Sequence, residues 1–361
     1  MTDTSERRDL KIAVIPGDGI GKEVVPEAAR ILEAAARIDS KVSFSFTEFP
    51  WNCDYFLEHG QMMPDDGLDQ LARFDQIFLG AIGAPSVPDH VSLWGLLIPI
   101  RRFFQQFVNV RPVRLMPGIV SPLAGREPGS IDMVVVRENS EGEYSEIGGR
   151  IHSGTDAETA IQVDYFSRMG VERIMRYAFE LAMTRNRRLT VATKSNGIVH
   201  SMPFWDQVAR EMNEHYPDVS MEFALVDALA ARFVTHPQSL DVVVGSNLFA
   251  DILSDIGGAI MGSIGIAPAA NLDPSRLHPS MFEPVHGSAP DIAGSGIANP
   301  MAQIWTAAMM LDFIGHDEGA ARVVRAIEAT LIDGVKTADL GGSATTAEVT
   351  DRVLAHLESD D

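Results

Sequence analysis

Cysteine is nearly absent from this chain. Its 361 residues include one, Cys53, so no disulfide can form within the chain, and a reducing cytoplasm is the expected location. Long apolar runs are absent too. The nearest, residues 256–270, is short and broken by glycines, so no segment is expected to span a bilayer. The opening MTDTSERRDL is polar and lacks the apolar core of a secretion signal. Positive charge is scarce: 29 Lys and Arg stand against 50 Asp and Glu, a formal net charge of −21. Such a field repels nucleic acid and anionic membranes, and neither is an expected partner. Small anionic ligands remain possible wherever arginines gather and reverse the local sign. Internal repeats and low-complexity linkers are missing as well. A chain this long exceeds what one core comfortably holds, so two interlaced lobes are expected.

What is present alternates. Short, often β-branched runs occupy 12–15, 42–47, 76–79, 132–136, 189–192, 221–226 and 242–244. Between several of them lie segments of helical period, at 23–36, 171–184 and 203–216. This pattern predicts an α/β protein with a substantially parallel sheet. Thr345 stands three residues before Glu348, the spacing of a capping box at a helix start. Residues 148–162 are polar and contain glycine, and read as either a loop or an extended arm.

The stretch KIAVIPGDGIGKEVVPEAARIL runs from a strand through Gly17, Gly19 and Gly21 into a helix. A dinucleotide fingerprint needs G-x-G-x-x-G. Here the spacing is G-x-G-x-G, and position 22 is lysine. The turn either approaches a ligand through its bare backbone or simply joins strand to helix tightly. Glu48 is placed to be an acidic ribose partner, or is an ordinary acid near a strand end.

Arg101 and Arg111 bracket an apolar stretch, and Arg137 ends the run 132–136. Guanidinium forks grip carboxylates bidentately, so three convergent arginines suit a dicarboxylate; singly, each reads as a surface charge. Asp251 and Asp255 lie four apart in NLFADILSDIGG, on one face of a helix. Like carboxylates in an apolar setting call for a hard divalent cation between them, whereas on a solvated face they need none. Asp227, isolated among apolar residues, is a third acid of this kind. Lys194 follows a strand, where a lysine can be tuned as a base or stay an ordinary surface charge. Tyr144 is either a proton donor or a packed aromatic. The segment EPVHGSAPDIAGSGIANP is too rich in special backbone residues for regular structure, and serves either a turn architecture or ligand cradling.

Taken in order, IPGDGIG, VRENSEGEYS, TKSN, DILSD, HGSAPDIAGSGIANP and DLGGSAT resemble the β-decarboxylating dehydrogenases of the isopropylmalate, isocitrate and tartrate/D-malate group over nearly the whole chain. The resemblance implies that family's two-domain fold with a mixed, largely parallel sheet, not a standard Rossmann fold. It implies a larger, cofactor-side domain from 1–107 plus 262–361, and a central domain, 108–261, with the dimer interface and an arm. The active site is then completed by the partner subunit of a homodimer.

By the same resemblance, Arg101, Arg111 and Arg137 hold the substrate carboxylates. Tyr144 protonates the enol intermediate, and Lys194 assists proton removal from the 2-hydroxyl. Asp227, Asp251 and Asp255 bind Mg2+ or Mn2+, with Lys194 and Asp227 reaching the site of the other subunit. His286, Gly287, Ala289, Asp291, Ile292 and Asn299 form the cofactor loop. Asp291-Ile292 stands where NADP-using relatives carry Lys-Tyr, which implies NAD. The stretches PWNCDYFLEHGQMMPDDGLDQLARFDQIFLGAIG and VPDHVSLWG resemble the tartrate/D-malate branch. They imply oxidation of D-malate or tartrate, with decarboxylation of D-malate to pyruvate and CO2. Trp94 falls near the place where isopropylmalate enzymes resemble E-T-G-L-L-S-L-R. Pro99 and Phe103 depart from the branch pattern. Members of the branch often use K+. 3-Isopropylmalate dehydrogenase is the alternative within the family. A non-catalytic acidic binding protein is the alternative outside it, though simple binding would need neither Tyr144 nor Lys194.

Overall fold

The computed structural model describes residues 8–39 and 42–359. In chain order the strands are β1 (Arg8–Gly17), β2 (Val42–Glu48), β3 (Gln76–Ala81), β4 (Val108–Arg114), β5 (Asp132–Glu138) and β6 (Gly148–Ile151). They continue with β7 (Thr159–Gln162), β8 (Arg188–Thr193), β9 (Ser220–Leu225), β10 (Val242–Gly245), β11 (Pro268–Leu272) and β12 (Ser280–Pro284). The helices are α1 (Gly21–Asp39), α2 (Cys53–His59), α3 (Gly67–Leu71), α4 (Asp89–Ser92), α5 (Ile98–Phe103) and α6 (Arg168–Thr184). Then come α7 (Ser201–Asn213), α8 (Val226–Thr235), α9 (Asn247–Ile260), α10 (Met301–Phe313), α11 (Asp317–Ile332) and α12 (Thr346–Ser359). A π-helical turn, Leu93–Leu97, joins α4 to α5.

The chain forms two compact units: Met1–Gln106 with Arg114–Ser130 and Gly258–Asp361, and Phe107–Val113 with Ile131–Gly257. In the first, strands lie in the order β2-β1-β3-β12-β11. All pairs there are parallel except β11 with β12. In the second the order is β4-β5-β10-β8-β9, with β5, β10, β8 and β9 parallel. Each of the seven strands expected from the sequence is found. So are the three expected helices, α7 ending three residues early because Glu214 closes its last turn. β3, β5 and β10 are buried along nearly their whole length, which is why they read as continuous Val/Ile runs rather than alternating ones. The 148–162 segment is an antiparallel hairpin of β6 and β7, exposed throughout. The capping box at α12 is present: Glu348 N–H donates to Thr345 Oγ1 at 3.2 Å, and Thr345 N–H donates to Glu348 Oε2 at 2.8 Å.

Parallel strands send their carboxyl ends to one edge, and ligands in open α/β sheets bind outside that edge. In the first unit this gathers the turns after β1, β3 and β12. In the second it gathers Arg137, Lys194, Asp227 and the start of α9.

Candidate active site

In the first unit the glycine turn of 17–21 is a brace for the second glycine loop. Ile20 N–H donates to the Ser288 carbonyl at 2.8 Å, and Asp18 N–H to the Ala81 carbonyl at 2.6 Å. Gly19 has a φ of +52°, and a Cβ there would stand 2.0 Å from the Ser288 oxygen. Glycine is therefore required by contact with the other loop, not by a phosphate. Glu23, in the first turn of α1, accepts from Gly294 N–H at 2.6 Å and Gly296 N–H at 2.9 Å, clamping the far end of that loop.

Between the two loops lies a mainly apolar cavity of about 280 Å³, lined among others by Ile20, Ile264, His286, Ala289, Ile292 and Asn299. His286 Nδ1 faces the Gly287 carbonyl at 3.0 Å, which places the ring proton on Nδ1 and leaves Nε2 an acceptor. Nε2 is buried and has no hydrogen-bond partner among the described residues. Burial holds the imidazole pKa below its ordinary value, so the ring stays neutral. An apolar slot with one unsatisfied acceptor at its wall suits a flat heterocycle that carries an N–H donor. Asn299 donates to Asp339 Oδ2 at 3.0 Å. Gly287 and Asp291 are exposed, Asp291 beside the lining residue Ile292.

Arg101, also in this unit, is buried on α5 and donates to Glu283 Oε1 at 2.8 Å. Its Nε is buried with no acceptor among the described residues. Pro99 is the second residue of α5, directly after the π-helical turn. The Arg102 guanidinium lies over the Trp94 ring, 5.2 Å from its centre. Phe103 is exposed.

The second unit brings Arg111, Arg137, Tyr144, Asp251 and Asp255 together. Arg111 and Arg137 are both buried. Arg137 Nη1 donates to Asp251, and Arg111 Nη2 lies 3.2 Å from the same carboxylate oxygen, Oδ1. Arg111 Nη1 is 3.6 Å from Asp255. The Tyr144 hydroxyl donates to Asp251 Oδ2 at 3.1 Å, and the Arg137 guanidinium lies over its ring. Burial first, then the Asp251 charge, raise the Tyr144 pKa, so the phenol keeps its proton at neutral pH. Asp251 and Asp255 do share a face of α9. Partial desolvation pushes Asp255 above the usual carboxylate range, Arg111 opposes this, and the Asp251 charge adds to it. The apolar seal expected around the pair is incomplete, since Ile252 and Asp255 are exposed.

Lys194 and Asp227 follow the neighbouring strands β8 and β9 and pair with each other, Nζ to Oδ1 at 2.6 Å. That bond holds the Asp227 carboxyl below its ordinary pKa. Asp227 does not join Asp251 and Asp255: among the described residues no three His, Cys, Asp or Glu side chains could hold a metal ion together.

Sequence reasoning missed the side chains that aim the arginines. Asn247 Oδ1 accepts from Arg137 Nε at 3.0 Å and Nη2 at 2.7 Å. Ser254 and Asn109 accept from Arg111 at 2.8 and 2.7 Å. Asn109 was readable, because residues two apart on a strand share a face. Asn247 carried only its position after β10 as a signal.

A profile described as isocitrate/isopropylmalate dehydrogenase matches residues 11–353. The chain belongs to the isocitrate/isopropylmalate dehydrogenase family. It is 57% identical over 351 residues to a probable tartrate dehydrogenase/decarboxylase of Bacillus subtilis, covering 97% of this chain and 98% of that one. It is 55% identical over 354 residues to a D-malate dehydrogenase (decarboxylating) of Escherichia coli, covering 96% and 98%. It is 54% identical over 349 residues to a tartrate dehydrogenase/decarboxylase of Pseudomonas putida, covering 94% and 95%. The structure of isocitrate dehydrogenase from Methylococcus capsulatus superposes with a TM-score of 0.86 at 33% identity, over 97% of this chain and 100% of that one. The family is one of oxidoreductases that generally use NAD(P) and a divalent metal. No described helix is long and apolar enough to cross a membrane.

Proposed function

We propose that this family member is an NAD- and divalent-metal-dependent dehydrogenase. It oxidises a 2-hydroxy dicarboxylate, D-malate or tartrate, and decarboxylates the oxidised D-malate to pyruvate and CO2. The observation that carries the reading is the contact of two buried arginines and a protonated tyrosine on one aspartate of α9. We read that contact as an anion grip, a cation ligand and a proton donor side by side. The names of the relatives, at 54–57% identity, favour D-malate or tartrate over 3-isopropylmalate.

The residues divide the work by their chemistry. Arg111 and Arg137, their forks preset by Asn109, Ser254 and Asn247, bind one substrate carboxylate. Arg101 offers its unsatisfied Nε to a carboxylate. Asp251 and Asp255 fit a divalent ion as two oxygen ligands one turn apart, whose mutual repulsion a cation would relieve. Two ligands are too few, and we assign the third to Asp227 of the other copy in a homodimer. An ion held there would supply Lewis acidity at the C2 oxygen, and NAD, when bound, would be the hydride acceptor. Lys194 of the other copy assists removal of the 2-hydroxyl proton. Tyr144 delivers its phenolic proton to C3 as CO2 leaves. His286 Nε2 accepts from the cofactor's heterocycle, and Asp291 accepts from ribose hydroxyls while repelling a 2′-phosphate.

The hairpin of β6 and β7 supports the homodimer. Ile151 and Ile161 are exposed, and their register puts them on one face. A two-stranded hairpin alone is marginal in water, so this face calls for a cover.

A substrate panel with NAD and Mn2+ tests the assignment. The kcat/KM for D-malate or tartrate should exceed that for 3-isopropylmalate by at least about tenfold, the loss expected when about 1.4 kcal/mol of fit is missing. A value highest for 3-isopropylmalate would overturn it.

A further inference from the structure

The loop between β5 and the arm carries acids that the reaction does not use. Glu143, half-buried, is directed at α9. Its Oε1 accepts from the Ser246 hydroxyl at 2.6 Å, and its Oε2 accepts from Leu248 N–H at 3.0 Å. Ser246 precedes α9 and caps it, its Oγ accepting from Phe249 N–H at 3.4 Å, so the two Glu143 oxygens are spent on that cap and on the Leu248 amide at the helix start. The next residue in the chain is Tyr144. Its hydroxyl meets Asp251, one turn further along that helix. The loop is anchored once more upstream, where Asn247 Nδ2 donates to the Glu141 carbonyl at 3.2 Å while its Oδ1 holds Arg137. Arg137 and Tyr144 share Asp251 as a partner on α9; beyond it, Arg137 is held by Asn247, whereas the backbone next to Tyr144 is held by Glu143.

We infer that Glu143 is a positioning residue for Tyr144: by capping α9 it sets where the phenol delivers its proton, without setting how the arginines bind substrate. The inference rests on the reading of Tyr144 as the proton donor. In that step the C3–C4 bond breaks, its electron pair stays on C3–C2–O as an enolate, and CO2 leaves. The Tyr144 proton then bonds to C3, the C2 oxygen returns to a ketone, and solvent reprotonates the tyrosinate. A proton donor displaced by an ångström loses up to about a hundredfold in rate. Hydride transfer at C2 makes no use of that proton. Removing Glu143 therefore changes the partition between the two chemistries rather than the whole activity.

Partial reactions of the 2-oxo dicarboxylate formed from D-malate (oxaloacetate) separate the two. One is its reduction by NADH; the other is its decarboxylation above the metal-only background. In Glu143→Leu the ratio of decarboxylation to reduction should fall roughly ten- to a hundredfold, with the KM for D-malate within about twofold of wild type. Glu143→Gln can accept from Leu248 N–H and donate to Ser246 Oγ, and should restore the ratio to within about threefold. Ser246→Ala removes one of the two anchors and should lie between them, which keeps the test alive if the leucine variant does not fold. Glu348→Leu, which removes the capping-box partner of Thr345 on α12, loses helix capping without moving the ratio. An unchanged ratio in both Glu143→Leu and Ser246→Ala would overturn the inference. So would a glutamine variant as defective as leucine, because charge and not placement would then be the cause. If instead the wild type forms no pyruvate, or Tyr144→Phe leaves the ratio unmoved, it is the reading of Tyr144 that fails.

Discussion

At the scale of single residues, Tyr144 is the most exposed to test. Its phenol is kept protonated by burial and by Asp251, which suits a proton donor and not a base. Tyr144→Phe should lower decarboxylation of oxaloacetate by about 10²–10⁴-fold while NADH-dependent reduction falls by less than about tenfold. Equal losses in the two partial reactions would remove it from the proton path. The residues legible beforehand share one property. Arg137, Lys194 and Asp227 each sit at or just past the carboxyl end of a strand, and strand ends can be read from local pattern. Glu143, Asn247 and Ser254 could not be read, because their importance comes from partners roughly a hundred residues away. A glutamate before a tyrosine in a polar loop looks like solvation until Ser246 and Leu248 are brought to it.

At the scale of elements, the first glycine turn and the second glycine loop act as a pair. The strand-to-helix turn was readable from the G-x-G-x-G spacing; that it braces a loop some 270 residues later was not. β11 and β12 escaped the sequence reading for a related reason. Both are short, fully buried and bounded by proline, so they show neither alternation nor a long β-branched run. β4 was hidden by its arginines, which read as charge although Arg111 is buried. The pairing of the loops makes Gly19→Ala informative. A side chain there meets the Ser288 oxygen and holds a φ that alanine avoids, at a cost of roughly 1–3 kcal/mol. The variant should melt lower than wild type by differential scanning calorimetry, and its KM for NAD should rise at least about tenfold, with the KM for D-malate little changed. A variant that melts lower but keeps its KM for NAD would separate the turn from cofactor binding.

At the scale of the whole molecule, two features point outward. Among the described residues of one chain, the carboxylates proposed for the metal stop at Asp251 and Asp255, while Lys194 and Asp227 are paired elsewhere on the same sheet edge. The arm presents Ile151 and Ile161 to solvent. The proposed second copy would account for both. Ile151→Lys with Ile161→Lys should shift the protein toward monomer in light scattering at micromolar concentration, and should remove activity with it. A monomeric variant with full kcat/KM would show that each chain is complete alone. The α/β class was plain in the alternation of strand and helix. Two interlaced lobes were expected from the chain's length and its lack of a linker, and their bounds from the family resemblance; that Arg114–Ser130 groups with the first unit was not, because it depends on contacts that no local period records.

The central claim is a coupled reaction, oxidation at C2 followed by loss of the neighbouring carboxylate. The stoichiometry of products from D-malate tests it most directly. With NAD and Mn2+ in excess, NADH, pyruvate and CO2 should appear in equal amounts throughout the time course. NADH accompanied by oxaloacetate without pyruvate, or no NADH from either D-malate or tartrate, would contradict it.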